Sequence, residues 1–407
     1  MKKILSLTMI SVLLLACAAE LSGCGKEGRA ENAGAAMSVS DTAEAGRVVS
    51  VGVYEPASGA DSMGGKRETL GIRYANEVRP TVELDGVTYN VELKFVDNES
   101  SPEIAAAAAE ELAESDCSVI LGSYGSEMSV AGIPAFTEAG VAAVGATCSA
   151  PQVTEGNDCY FRICYSDSFQ GVVLAHYAYS CLGVTKAYCL SEQENGDSAR
   201  MADAFAATFH YLGGTCIQAS YPAGTTDFTE YISAAQKAVC GVLFCPTPAA
   251  TAPLIIEQAE TMSLLQPILA GDDWDTGEVL KAAVGKSVSV TVTTPYLEGA
   301  DPAFDAAVRD WIRSDRTNVS ENGGDSTVTA TTALGYDAYF VALDALERAG
   351  STDPVAVRAA MWSTDTTGVT GEIRFDGTGD AVRTGACIKR ANPSTGDWDY
   401  ITTQSVL

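Results

Sequence analysis

The sequence predicts an α/β protein built as two similar lobes with a cleft between them. Three observations carry that expectation. A strand-loop-helix-strand-loop unit spans Val119 to Thr154, VILGSYGSEMSVAGIPAFTEAGVAAVGATCSAPQVT. Apolar runs of strand length alternate with helical stretches before it, and the same rhythm restarts after Tyr160-Phe161-Arg162. Two successive βα series predict two lobes, and clefts between lobes are favoured small-molecule sites.

The elements follow in order. Lys2 and Lys3 precede an apolar run from Ile4 to Ala19, too short for a stable span but suited to a signal-peptide core. Leu21-Ser22-Gly23-Cys24 follows at once and resembles the lipobox of bacterial lipoproteins, in which the cysteine is acylated after cleavage before it. Residues 1–23 are thus expected to be a lipoprotein signal peptide, with Cys24 as the lipidated amino terminus outside the cytoplasm. Residues 24–46, rich in Gly, Ala, Ser, Glu and Asn without apolar periodicity, have the composition of a flexible tether.

From Val48 the pattern reads strand to Tyr54, helix Gly65 to Val78, strand Tyr89 to Asp97, and an Ala-rich helix Pro102 to Ala113. In the central unit, strands Val119 to Leu121 and Val141 to Ala146 flank a crossover helix from Ser126 to Ala139. The second series runs helix Phe169 to Leu182, strand Lys186 to Leu190, helix Ala199 to Leu212, strand Thr215 to Tyr221, helix Phe228 to Ala238 and strand Gly241 to Cys245. Helix Ala252 to Met262 and strand Pro267 to Ala270 follow.

Both loops of the central unit leave the carboxyl ends of neighbouring strands, where open α/β sheets bind ligands. Ser126, Ser149 and the amides near them suit a carboxylate. Equally, Ser126 suits a helix cap and Ser149 a turn before Pro151. Asp272-Asp273-Trp274-Asp275 is the one dense acidic constellation, and taken alone it suits a solvated turn; it lacks the spacing of an EF-hand loop.

Other motifs are absent. Ala60 to Arg67, ADSMGGKR, lacks the first glycine and the Ser or Thr of a P-loop, and no GxSxG or HExxH occurs. No Cys-x-x-Cys pair exists and the only histidines, His176 and His210, fall in helical patterns, so neither metal nor cofactor is expected. Ten cysteines remain besides Cys17 and Cys24, several of them in apolar strands such as KAYCL and GVLFC, where a thiol serves as a small hydrophobe; mostly free thiols are expected. Without Lys2, Lys3 and Glu20 the chain keeps 23 basic and 52 acidic residues, a formal charge of −29, which disfavours nucleic acid and anionic lipid surfaces.

Seven blocks in order resemble the type I periplasmic-binding-protein family in its branched-chain amino-acid receptor branch. They are VILGSYGSEMS, AVGATCSAPQVTEGNDCYFRICYSDSFQG, YPAGTTDFTEYI, LIIEQAE, ILAGDDWDTGEVL, ALGYDAYFVALDALERAGSTDP and GVTGEIRFDGTGDAV. The resemblance implies two Rossmann-like lobes joined by three crossovers, lobe 1 from residues 48–165 plus 294–375 and lobe 2 from 166–293 plus 376–407. It implies a ligand carboxylate on Ser126, Thr147 and Ser149 and a ligand ammonium on Asp272, with Tyr124, Phe169 and Trp274 as candidate wall residues. Aromatic residues frequent in the family after the strand Gly241 to Cys245 are replaced here by PTPAAT, and the one near Asn195 is missing, which leaves the side-chain preference open.

The resemblance also implies a non-catalytic, monomeric receptor, which the lipobox would anchor by lipid at the outer face of the cytoplasmic membrane. It would close on a small amino acid, branched-chain or similar, and deliver it to the permease of an ABC importer. A receptor for short amides, urea-like compounds or another small polar metabolite is the alternative within the same class. A thiol-dependent exported enzyme is the alternative outside it, though a redox enzyme would usually carry Cys-x-x-Cys or a thiol beside a cation.

Overall fold

The computed structural model describes residues 46–406. The expected signal peptide, Cys24 and most of the tether lie outside the described residues.

In chain order the first series comprises β1 (Val48–Glu55), α1 (Ser62–Val78), β2 (Thr81–Leu84), β3 (Val87–Asp97), α2 (Pro102–Ala113), β4 (Cys117–Gly122), α3 (Ser126–Ala139), β5 (Ala142–Gly145) and β6 (Tyr160–Arg162). The second comprises α4 (Asp167–His176), β7 (Lys186–Glu192), α5 (Gly196–Tyr211), β8 (Thr215–Tyr221), α6 (Thr229–Lys237), β9 (Val242–Phe244), α7 (Ala252–Thr261), β10 (Ile268–Ala270), α8 (Gly277–Ala283) and β11 (Val290–Thr294). The remainder forms α9 (Pro302–Ser314), α10 (Arg316–Glu321), α11 (Ala330–Ala349), α12 (Pro354–Met361), β12 (Asp365–Gly368), β13 (Gly371–Arg374), β14 (Gly385–Ala391) and β15 (Trp398–Ser405).

Two sheets result. The first has the order β2-β3-β1-β4-β5-β6, parallel except for β2, and the second β15-β14-β11-β10-β9-β7-β8, parallel except for β14 and β15. Strands such as Cys117–Gly122 are buried along their whole length, as expected of parallel strands covered on both faces. Each sheet has apolar clusters on both faces: Val51, Val119 and Leu343 in one cluster of the first and Ile120 and Phe136 in another; Leu243 and Trp274 in one cluster of the second and Phe205 and Phe244 in another.

The chain changes sheet three times: after β6, after β11, and after β13. Between the second and third crossings α11 packs across α1 on the first sheet. This crossing is close because two glycines meet there: a Cβ at Gly71 would fall 2.0 Å from the Thr332 carbonyl oxygen, and one at Gly335 would fall 2.2 Å from that of Glu68. The result is a two-lobed α/β molecule whose loops at the carboxyl ends of both parallel sheets face a common cleft.

Candidate functional site

The first-lobe wall of the cleft is built where β1, β4 and β5 end. Gly125, with φ of 89°, precedes α3 and occupies its cap position, so Ser126 is the first helical residue and does not cap the helix. Instead the Ala150 amide donates to Ser126 Oγ at 3.1 Å, tying the loop after β4 to the loop after β5 and leaving the Ser126 hydroxyl proton for an acceptor in the cleft. The Thr147 hydroxyl is already committed, donating to the Glu68 carboxylate. Ser149 lines the cleft and reaches Asp167. The Tyr124 ring lies over Gly64, where a Cβ would come within 2.2 Å of the ring.

Beneath this wall lies a pair of buried carboxyl groups that sequence patterning did not single out. Glu55 ends β1 and Glu68 lies on α1; they are 3% and 0% exposed. The Tyr124 amide donates to Glu55 at 2.8 Å, and Thr147 binds Glu68. Burial, then the charge of Glu68, holds Glu55 well above the carboxylate range, while Glu68 is pushed up to about 7 by burial, opposed by hydrogen bonds from Glu55 and Thr147. A protonated Glu55 donating to Glu68 satisfies both, and the pair fixes the two loops from below.

The second-lobe wall centres on Asp272, in a single helical turn after β10. Gln170 of α4 clamps it: its Nε2 donates to Asp272 Oδ1 at 2.8 Å, and its Oε1 accepts from the Asp272 amide at 2.9 Å and from the Thr293 hydroxyl at 2.8 Å. Burial pushes Asp272 up to about 7 against the pull of Gln170, with Asp167 and Asp275 adding to the rise. Asp167 is also raised to about 7, by burial and then Asp197, opposed by Ser149 and by Arg200, which pairs with it at 3.1 Å. Asp273 rises to about 7 through desolvation and the charges of Asp272, Asp197 and Asp61, although its side chain remains open to solvent along the cleft. Asp275 has a structural role: Lys389 Nζ lies 2.7 Å away and the Thr294 hydroxyl donates at 2.6 Å.

The cleft between these walls measures about 1290 Å³ and is lined by Tyr124, Ser126, Thr147, Ser149 and Asp272 among the candidates named above. Phe169 and Trp274 are not among its lining residues. Trp274 is wholly buried in the second-lobe core, its indole N–H donating to the Thr247 carbonyl at 2.8 Å, because a large ring in a short turn gains more from the core than from the cleft. Phe169 packs against Tyr165, ring centroids 5.1 Å apart, and it is Tyr165 that lines the cleft. Among the described residues no group of His, Cys, Asp and Glu is arranged to hold a metal, and no helix is long and apolar enough to cross a membrane.

Two such lobes around one solute-sized cleft set the context for comparison with known proteins. The profile of the periplasmic binding protein family matches residues 48–393. The chain belongs to that family. It has the type I fold of the branched-chain amino-acid importer kind, whose members are solute-binding transport components outside the cytoplasm and not enzymes. It is similar to the Leu/Ile/Val-binding protein homolog 1 of Brucella abortus, 24% identical over 358 residues, covering 87% of this chain and 93% of that one. It is also similar to the crystal structure of a leucine-binding protein, LivK, from Thermotoga maritima: TM-score 0.76, 29% identity, 88% of this chain and 99% of the other. The fold likeness extends to a solute-binding protein from R. palustris in complex with benzoate, with a TM-score of 0.73 at 16% identity over 88% of this chain and 96% of that one.

Proposed function

We propose that the protein captures a small α-amino acid in the cleft and delivers it to the permease of an ABC importer. The observation that carries this reading is the opposition of two walls: hydrogen-bond donors of the loops after β4 and β5 on one side, and the Gln170-held carboxyl of Asp272 on the other. The ligand carboxylate is received by the Ser126 hydroxyl and the amides at the start of α3, and by the Ser149 hydroxyl once it turns from Asp167 to the ligand. The ligand ammonium pairs with Asp272, with Asp167 beside it. Thr147 contributes by position, since its hydroxyl is held by Glu68.

Lobe closure completes the site and excludes water. The protein is anchored by acylated Cys24 at the outer face of the cytoplasmic membrane, on the strength of the Leu-Ser-Gly-Cys motif, and works as a monomer.

Calorimetry of wild type and Asp272→Ala with a panel of amino acids and their des-amino analogues tests the reading. Removing one partner of a desolvated charge pair costs about 2–5 kcal/mol, so Asp272→Ala is expected to weaken amino-acid binding by roughly 30-fold to several thousand-fold. It should weaken the des-amino analogue far less. Unchanged amino-acid affinity in a variant that unfolds at the wild-type temperature would overturn the assignment.

A further inference from the structure

The cleft is more acidic than a receptor for a simple zwitterion requires. Ten of its 45 lining residues are Asp or Glu, against 53 of 407 in the whole chain, and its only cationic side chains are Arg67 and Arg200. Both arginines are committed: Arg67 to Glu278 at 2.9 Å, and Arg200 to Asp167 and Asp197. Lys389, outside the lining, neutralises Asp275. An α-ammonium answers Asp272 and Asp167. Among the described residues it leaves Asp61 and Glu127 of the first lobe and Asp273 of the second without a cation, on the same cleft as Asp197, which Arg200 already holds.

Among the described residues neither Asp61 nor Asp273 has a cationic partner, and both line the same cleft. Asp273 is raised first by desolvation and then by the charges of Asp272, Asp197 and Asp61, and Asp61 by burial and then by Glu127 and Asp197. Closing the lobes on a neutral zwitterion would press these like charges together in a space that is losing its water, which opposes closure. A ligand that brings a second positive charge removes the repulsion and gains attraction from both lobes at once. The apolar side of the balance agrees: Trp274 and Phe169 are withdrawn from the lining, and the loop after β9 offers Pro246, Thr247, Pro248 and Ala249 in place of a large apolar wall.

Resting on the amino-acid reading above, we infer that the ligand is an amino acid whose side chain ends in a cation, seated among Asp61, Asp197 and Asp273. That the cleft is a ligand site rests on the family and on its volume; the charge distribution decides which ligand class it admits.

Calorimetry on the full chain with L-lysine, L-ornithine and L-arginine, against L-norleucine, tests this. Norleucine is lysine without the terminal ammonium. At least one cationic amino acid is expected to bind about tenfold or more tighter than norleucine. Asp61→Asn and Asp273→Asn, one in each lobe, should each weaken that cationic ligand several-fold and leave norleucine bound as well or tighter, since one of the repelling charges is gone. If norleucine binds as well as or better than all three, the side-chain pocket is apolar and this inference falls while the amino-acid reading stands. The inference also falls if the cationic ligand is preferred yet neither Asn variant, folded as wild type by circular dichroism, alters its affinity. Binding of des-amino acids but of no amino acid would overturn both.

Discussion

Arg67 on α1 and Glu278 on α8 form an ion pair across the mouth of the cleft, Nη2 to Oε1 2.9 Å, with Arg67 also donating to the Asn322 carbonyl at 3.3 Å. Lys281 of the same helix reaches Asp325 at 3.1 Å, in the loop between α10 and α11. These contacts join elements of the two lobes directly, apart from the three crossovers of the chain.

Arg67→Ala is therefore expected to favour the open form. The Arg67 side chain is buried but Glu278 is half exposed, so the pair is worth about 1 kcal/mol. Ligand affinity should fall by roughly threefold to tenfold. Small-angle X-ray scattering of the ligand-free protein should give a larger radius of gyration for the variant; an identical radius and affinity would contradict the latch.

The carboxyl groups of the cleft set a pH dependence of defined sign. Asp167, Asp272 and Glu68 are raised to about 7 in the folded protein, while the unfolded chain releases those protons near pH 4. Between these values the folded state binds more protons than the unfolded one, so stability falls as pH rises from about 4 to 7. Asp272 faces Gln170, Asp167 and Asp275, and Asp167 faces Asp197, Ser149 and Arg200, so only Arg200 opposes the rise by charge. The ligand-free protein should melt at a higher temperature at pH 5 than at pH 8. Affinity for an ammonium-bearing ligand should run the other way, rising through pH 7 as Asp272 ionises. Calorimetric titrations at both pH values check the second half.

Lys389 and Asp275 are each 3% exposed in their side chains. Replacing the lysine alone leaves a carboxylate buried without its cation, so Lys389→Met is expected to destabilise the protein by about 3–5 kcal/mol. Urea unfolding measures this directly, and a double replacement that also removes Asp275 should recover much of the loss.

Among the described residues the ten cysteines between Cys117 and Cys387 are all unpaired, and seven are buried. Alkylation of the native protein should modify exposed Cys181 first and half-buried Cys216 and Cys387 more slowly. Full labelling of the ten should need denaturant but no reductant. Disulfide-linked peptides in the unreduced digest would contradict this.

Much of the fold was legible because buried parallel strands and amphipathic helices leave plain marks in the chain. The helix Ser126–Ala139 has the expected bounds, and the acidic turn after β10 faces the cleft. The antiparallel strand Thr81–Leu84 was not foreseen, although Asp85-Gly86, with φ of 48° and 77°, is a typical two-residue hairpin signal between two β-rich runs. Which aromatic faces the cleft was not legible. Trp274 sits in a turn too short for periodicity, and Phe169 and Tyr165 flank a helix start where neither period applies. Glu55 and Glu68 escaped notice for a related reason: their burial depends on Thr147 and Tyr124 arriving from distant segments, which no local pattern records.

The central claim is that the cleft holds an amino acid by both of its charged ends. Mass spectrometry of the compound released on denaturing the purified protein tests this most directly. A molecule with a free α-ammonium and a free carboxylate is expected; an aromatic acid, a sugar or any other compound without an amine would contradict that binding mode.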